Sequence, residues 1–189
     1  MPAITVYCAS SNYLDPEFHD AARIVGTYLA KKSCTLIYGG GSTGLMGELA
    51  RAAREHHGDI VGIITHYLNE RELGFDGCRE LIAVDTMRER KRLLEAKGDA
   101  FLILPGGLGT YEEMFEIIVG RLLGEHDKPI GIINAHGYYN PLIALIEHGI
   151  EHRFIKREVH DLFTIDPDPE LVLAALLNEL STKDGAQRK

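Results

Sequence analysis

Leu36-Ile37-Tyr38-Gly39-Gly40-Gly41-Ser42-Thr43-Gly44-Leu45-Met46-Gly47 and Phe101-Leu102-Ile103-Leu104-Pro105-Gly106-Gly107-Leu108-Gly109-Thr110-Tyr111-Glu112-Glu113 follow one plan. Each is a short apolar run that passes through glycines into a stretch with helical spacing. Glycine lets a backbone turn tightly and approach a ligand closely. The helix start that follows offers unpaired N–H groups and the positive end of a dipole, which suits a phosphate. Two such turns in one small chain point to an anionic, nucleotide-like ligand. Both lie at the carboxyl ends of strands, where open α/β sheets bind their ligands.

Outward from these turns, strand-like and helix-like runs alternate. Strands are expected at residues 4–8, 35–38, 59–64, 80–84, 100–104, 128–133 and 162–165. Helices are expected at 15–32, 44–57, 85–97, 110–123, 140–149 and 168–180, with Asp85 and Asp168 among the caps and Gly58 and Gly98 as stops. Residues 65–79 read as a loop with helical turns in it. The strands are apolar throughout, as in a parallel sheet covered on both faces. The expected fold is α/β: a single-domain, Rossmann-like open parallel sheet with helices on both faces, over residues 1–180. A frayed polar tail is expected at 181–189.

The 189 residues suffice for one domain with a sizeable core, and 45% hydrophobic residues exclude a disordered chain. No apolar run approaches the ~20 residues of a membrane helix, and the start has no basic, signal-like segment. Cys8, Cys34 and Cys78 are scattered and read as reduced thiols, so the expected setting is cytoplasmic, with no membrane. The net charge of −8, without a Lys/Arg block among aromatics, argues against nucleic acid as a partner.

Gly39-x-Gly41-x-x-Gly44 matches a dinucleotide-binding pattern, but the next strand ends Ile63-Ile64-Thr65-His66 without the ribose-binding acid. A Walker loop needs a lysine where Leu45 stands. Gly40-x-Ser42-x-Gly44 matches a nucleophile elbow, with His126, His136, His148 and His160 downstream, yet that reading leaves the second turn without a task. The second turn is more specific. Its glycines expose successive N–H groups as a nest for phosphate oxygens, and Thr110 adds a hydroxyl. Glu112 and Glu113 fall near the helix start. One acid would serve the dipole, and a carboxylate beside a phosphate repels it, so a task toward ribose hydroxyls or positive charge is expected. Arg90 and Lys91 begin a helix at the same sheet edge, where Arg suits a phosphate or carboxylate. Arg88 and Arg92 read as a solvated face. His148 and His152 are four apart, but no carboxylate motif completes a metal site, and no metal is expected.

The combination resembles the LOG ("lonely guy") family, cytokinin riboside 5′-monophosphate phosphoribohydrolases long labelled lysine decarboxylases. The family pattern P-G-G-x-G-T-x-x-E is met from Pro105 to Glu113. The turn before G-L-M-G is met by residues 39–47, and M-x-x-R-K by Met87, Arg90 and Lys91. His126 to Ile130, with Asn134, Gly137, Tyr138 and Tyr139, resembles the family's sixth strand and the turn after it. Cys8-Ala9-Ser10 departs where the family commonly has glycine before the serine, and Arg88 stands where histidine is common. The resemblance implies cleavage of the N-glycosidic bond of an adenosine 5′-monophosphate, N6-modified or plain, with no cofactor. It implies Arg90 and Glu113 as the catalytic pair, both at the strand edge rather than in the core. Gly39, Gly40, Gly41, Gly44, Glu72, Lys91, Gly106, Gly107, Gly109, Thr110 and Glu112 are the implied substrate-binding residues. A homodimer is also implied, and the surplus apolar residues Phe115, Val119 and Leu122 agree with one. The related molybdenum-cofactor carriers are the alternative on the same fold, without need of Arg90 and Glu113 together.

Overall fold

A computed structural model describes residues 1–72 and 74–187; the side chains of Glu72 and of residues 184–187 lie outside the description. Seven parallel strands form one sheet: β1 (Ala3–Tyr7), β2 (Thr35–Tyr38), β3 (Ile60–Thr65), β4 (Glu80–Val84), β5 (Ala100–Ile103), β6 (Ile130–Ile133) and β7 (Thr164–Asp166). Their order is β4-β3-β2-β1-β5-β6-β7. The helices are α1 (Glu17–Lys31), α2 (Gly44–Glu55), α3 (His66–Glu72), α4 (Met87–Lys97), α5 (Leu108–Leu123), α6 (Asn140–Glu151) and α7 (Pro169–Gln187). This is the expected Rossmann-like sheet.

Successive strand residues face opposite ways, so each strand feeds two cores. Ile4, Val6, Leu36 and Tyr38 pack with Val25 and Leu29 of α1, Leu45 and Leu49 of α2, and Val172 and Leu176 of α7. Tyr7, Ile37, Val61 and Ile63 pack on the other face with Leu94 of α4 and Met114, Ile117 and Ile118 of α5. Each fully buried Leu or Ile contributes about 1.5–3 kcal/mol. The buried Thr5 hydroxyl in β1 is satisfied, since Thr5 Oγ1 donates to Leu94 O at 2.7 Å.

Some element ends differ from expectation. The cap of α4 is Thr86, not Asp85: its backbone is extended and its Oγ1 accepts from Glu89 N at 3.1 Å. Part of the expected loop at 65–79 is α3. Helix α7 continues through the expected frayed tail to Gln187. Helix α5 starts two residues early, at Leu108, with Gly107 as an N-cap that offers no side chain.

Strand β1 sits between β2 and β5, and the chain spreads from it to both sides. The crevice beyond the carboxyl ends of β1, β2 and β5 is therefore the topological switch point, the usual ligand position in such a sheet.

Candidate active site

A cleft of about 340 Å³ occupies this crevice. Residues 6–11, running out of β1, form one wall. Gly39 lies at the end of β2, Arg90 comes from the first turn of α4, and residues 107–110 with Glu112 and Glu113 come from the start of α5.

Arg90 crosses from α4 onto the strand ends. Its Nε donates to Ile63 O at 2.9 Å and its Nη2 to Gly39 O at 3.2 Å. Nη1 stands 3.5 Å from Glu113 Oε1. One guanidinium thus ties β2, β3 and α5 together, which a planar fork of donors can do and a point charge cannot. A Cβ on residue 39 would come within 2.2 Å of Arg90 Nη2, so glycine there makes room for the arginine. Arg90 is not an edge group: its side chain is 8% exposed and that of Glu113 12%.

Burial dominates the electrostatics of Glu113. It pushes the carboxyl up to about 7, against the pull of Arg90 and Lys91 and with the push of Glu112 and Glu116. The 3.5 Å gap to Arg90 exceeds a charge-assisted hydrogen bond, typically ~2.7–2.9 Å. Glu113 is thus a carboxyl poised to exchange a proton near neutrality, which suits a general base. Cys8 beside it is no rival nucleophile: burial, and then Glu113, push its thiol far up, so the reactive thiolate is suppressed.

The start of α5 supplies the other chemistry. By helix geometry its first N–H groups lack intrahelical acceptors, and Gly107 provides no capping side chain. Cβ atoms built on Gly107 and Gly109 would meet nothing within 4 Å, so these glycines face open space. Thr110 is buried in the same wall.

The other expected residues fall in four groups. Glu112 lines the cleft, and Lys91 holds it at 2.9 Å while also reaching Glu116 at 3.2 Å, so Lys91 is paired at the rim. Gly106 lies behind the turn, lining a smaller apolar hollow of about 190 Å³ with Leu14, Phe18 and Tyr138. Of the glycines of the first turn, only Gly39 lines the cleft. Gly40 O accepts from Phe75 N, Gly41 pairs with Gly74, and Gly44 N donates to Asn12 Oδ1 at 2.9 Å. Gly44 has φ +55°, and a Cβ there would press on Ser11 O at 2.5 Å. That turn packs two loops together, and the Gly44 N–H faces a protein acceptor. Glu72 ends α3, and its side chain lies outside the described residues.

Sequence reasoning gave no site role to Met46, Leu68 and Met87, which line the cleft. They are apolar residues on ordinary helical faces and carry no signal of their own. His148 and His152 are joined by Glu151 in an exposed group whose ligand atoms lie within 4.8 Å of one another. The carboxylate judged missing is thus present three positions after His148, but the group is not part of the cleft lining.

The family model described as "Possible lysine decarboxylase" matches residues 46–176. The chain is 38% identical over 173 residues to the probable cytokinin riboside 5′-monophosphate phosphoribohydrolase LOGL2 of Oryza sativa subsp. japonica, covering 92% of this chain and 71% of that protein. It is 40% identical over 164 residues to the cytokinin riboside 5′-monophosphate phosphoribohydrolase LOG3 of Arabidopsis thaliana, covering 87% and 76%. Among solved structures, the molybdenum cofactor binding protein of Rippkaea orientalis superposes with a TM-score of 0.71 at 18% identity, covering 95% of this chain and 96% of that one. At that identity the likeness is one of fold.

Proposed function

The chain belongs to the LOG family, and from that membership we propose that it hydrolyses the N-glycosidic bond of adenosine 5′-monophosphates, N6-modified ones included, giving free base and ribose 5-phosphate. The observation that carries this reading is the meeting, in one cleft, of a desolvated Glu113 beside Arg90 with the uncapped start of α5. A cofactor carrier needs the second of these and not the first.

The geometry supports a division of labour. The N–H groups of Gly107 and Gly109, with Thr110, hold the 5′-phosphate, and Lys91 and Glu112 border it. Anchoring that end places the sugar over Glu113. As the bond from C1′ to the base nitrogen lengthens, its electron pair leaves with the base and positive charge grows on the ribose, as in glycoside hydrolysis generally. Ionised Glu113 stabilises that charge and accepts a proton from the water that adds to C1′. The base gains its proton from solvent. Arg90 holds the carboxylate in place and favours its charged form against burial.

The same reading includes a homodimer paired along α5 and a cytoplasmic setting. Phe115, Val119 and Leu122 stand 41%, 45% and 57% exposed on one side of α5. The three cysteines are free thiols, as a reducing compartment would keep them. No helix among the described residues is long and apolar enough to cross a membrane. Incubation with AMP, N6-isopentenyl-AMP and adenosine, followed by chromatography, tests the activity. Free base from the monophosphates but not from adenosine is expected. Equal turnover of AMP and adenosine would remove the phosphate from the proposal.

A further inference from the structure

Two tyrosines after β6 reach back to the turn before α5. Tyr139 Oη donates to Leu104 O at 2.8 Å, and Tyr138 Oη donates to Gly106 O at 2.6 Å. Tyr138 Oη also lies 2.8 Å from Tyr111 Oη. A phenol has one proton. Since Gly106 O can only accept, the proton of Tyr138 is committed there, and Tyr111 must donate to Tyr138. A directed chain results, from Tyr111 O–H to Tyr138 O–H to the Gly106 carbonyl. Such chains polarise each successive bond.

The consequence follows from the peptide plane. No peptide bond in the described residues is cis, and in a trans peptide the C=O and the next N–H point in opposite directions. Fixing Gly106 C=O toward Tyr138 therefore turns Gly107 N–H away from it, and Gly107 lines the cleft. Polarising the carbonyl also strengthens that N–H as a donor. The carbonyl before it is tied back too, since Pro105 O accepts from Ala9 N at 3.1 Å. At the other end, Gly107 O accepts from Tyr111 N at 2.9 Å, so Tyr111 braces the turn through both its backbone and its ring.

We infer that Tyr138, backed by Tyr111, is a positioning residue for anion binding: it aims and sharpens the Gly107 N–H toward the 5′-phosphate of the substrate. This rests on the reading of the α5 start as the phosphate site. Burial and then the Tyr111 bond push the Tyr138 hydroxyl up to about 12, so it stays a neutral donor at any working pH.

The test compares Tyr138→Phe and Tyr111→Phe with the unaltered protein, using ribose 5-phosphate and inorganic phosphate as calorimetric probes and AMP as substrate. One hydrogen bond lost from the chain should weaken both probes about five- to tenfold in Tyr138→Phe. KM for AMP should rise by the same factor while kcat changes less than about twofold. Tyr111→Phe keeps the bond to Gly106 and should show the same pattern at smaller size. A residue that merely holds the fold would lower the melting temperature and leave the affinity of the folded fraction for phosphate unchanged. Unaltered probe binding in folded Tyr138→Phe overturns the inference. If that variant does not fold, unaltered binding in Tyr111→Phe overturns it equally. Because the probes report binding without turnover, weakened binding in a protein inactive on AMP would leave this inference standing and sink the assigned reaction instead.

Discussion

At the scale of the residue, Glu113 places activity and stability in opposition. The unfolded carboxyl titrates near 4.5 and the folded one near 7. Between those values the native state binds more protons than the unfolded chain, so this group's contribution to stability is full below about 4.5 and is lost as pH rises through 7. Glu113→Gln, which cannot ionise, should match the unaltered protein near pH 4.5 and exceed it above pH 7, by up to about 3 kcal/mol, in urea melts. The same change should lower turnover at least about a hundredfold, as loss of a general base does. In the unaltered protein kcat/KM should climb with pH, pass its midpoint near 7 and level off above it. A variant less stable at pH 8, or a rate that falls between pH 6 and 7, would contradict the assignment. Little of this was legible beforehand. The pattern P-G-G-x-G-T-x-x-E singles out Glu113, but its burial beside Arg90 of α4 is set by tertiary packing. Arg90 was legible as a functional residue and misread as an edge group, because its partners are carbonyls 27 and 51 positions away and carbonyls have no sequence signature.

Among the elements, α5 carries a separable test. Gly109 lies in its first turn, and an added Cβ there meets nothing. Glycine inside a helix costs about 0.5–1 kcal/mol relative to alanine. Gly109→Ala should therefore raise stability by about that amount and, on the proposed function, raise KM for AMP, since the methyl enters the space assigned to the phosphate. Thermal melts and steady-state kinetics on one preparation decide it; an unchanged KM would move the phosphate elsewhere. Most elements were readable because strands buried on both faces are apolar throughout, and β2 and β4 fall where expected, at Thr35–Tyr38 and Glu80–Val84. Ends governed by a single side-chain bond were harder. Thr86-x-x-Glu89 is a capping-box spacing, yet the aspartate before it is also a good cap, and only the extended backbone at Thr86 settles the choice. The helical turns expected within 65–79 could not be placed as α3, because its seven residues, with only Tyr67 and Leu68 apolar, form no apolar stripe. The first glycine turn invites a phosphate reading because glycines that pack loops and glycines that cradle anions look alike in sequence.

For the molecule as a whole, the apolar side of α5 sets the expected assembly. Phe115, Val119 and Leu122 are spaced by four and three, one stripe of a helix whose adjoining face, with Met114, Ile117 and Ile118, already fills the core. A two-fold pairing buries that stripe against its own copy. Light scattering should give twice the 21.0 kDa of one chain, and Phe115→Glu with Leu122→Glu should halve that mass. A fully active 21.0 kDa species in the unaltered protein would dismiss the pairing.

The central place of β1 carries a last consequence, for the order in which the molecule is made. Its ladder with β5 brings Ala3 to Asp99, 96 positions along the chain. Contacts between such distant segments form slowly, because a long loop must close before they bring any gain. The cleft needs β2 and α4 from one side of that closure and α5 from the other. A ribosome must therefore release well over half of the chain before any catalytic geometry exists. Nascent chains shorter than that can hold helices and strands, but not an enzyme.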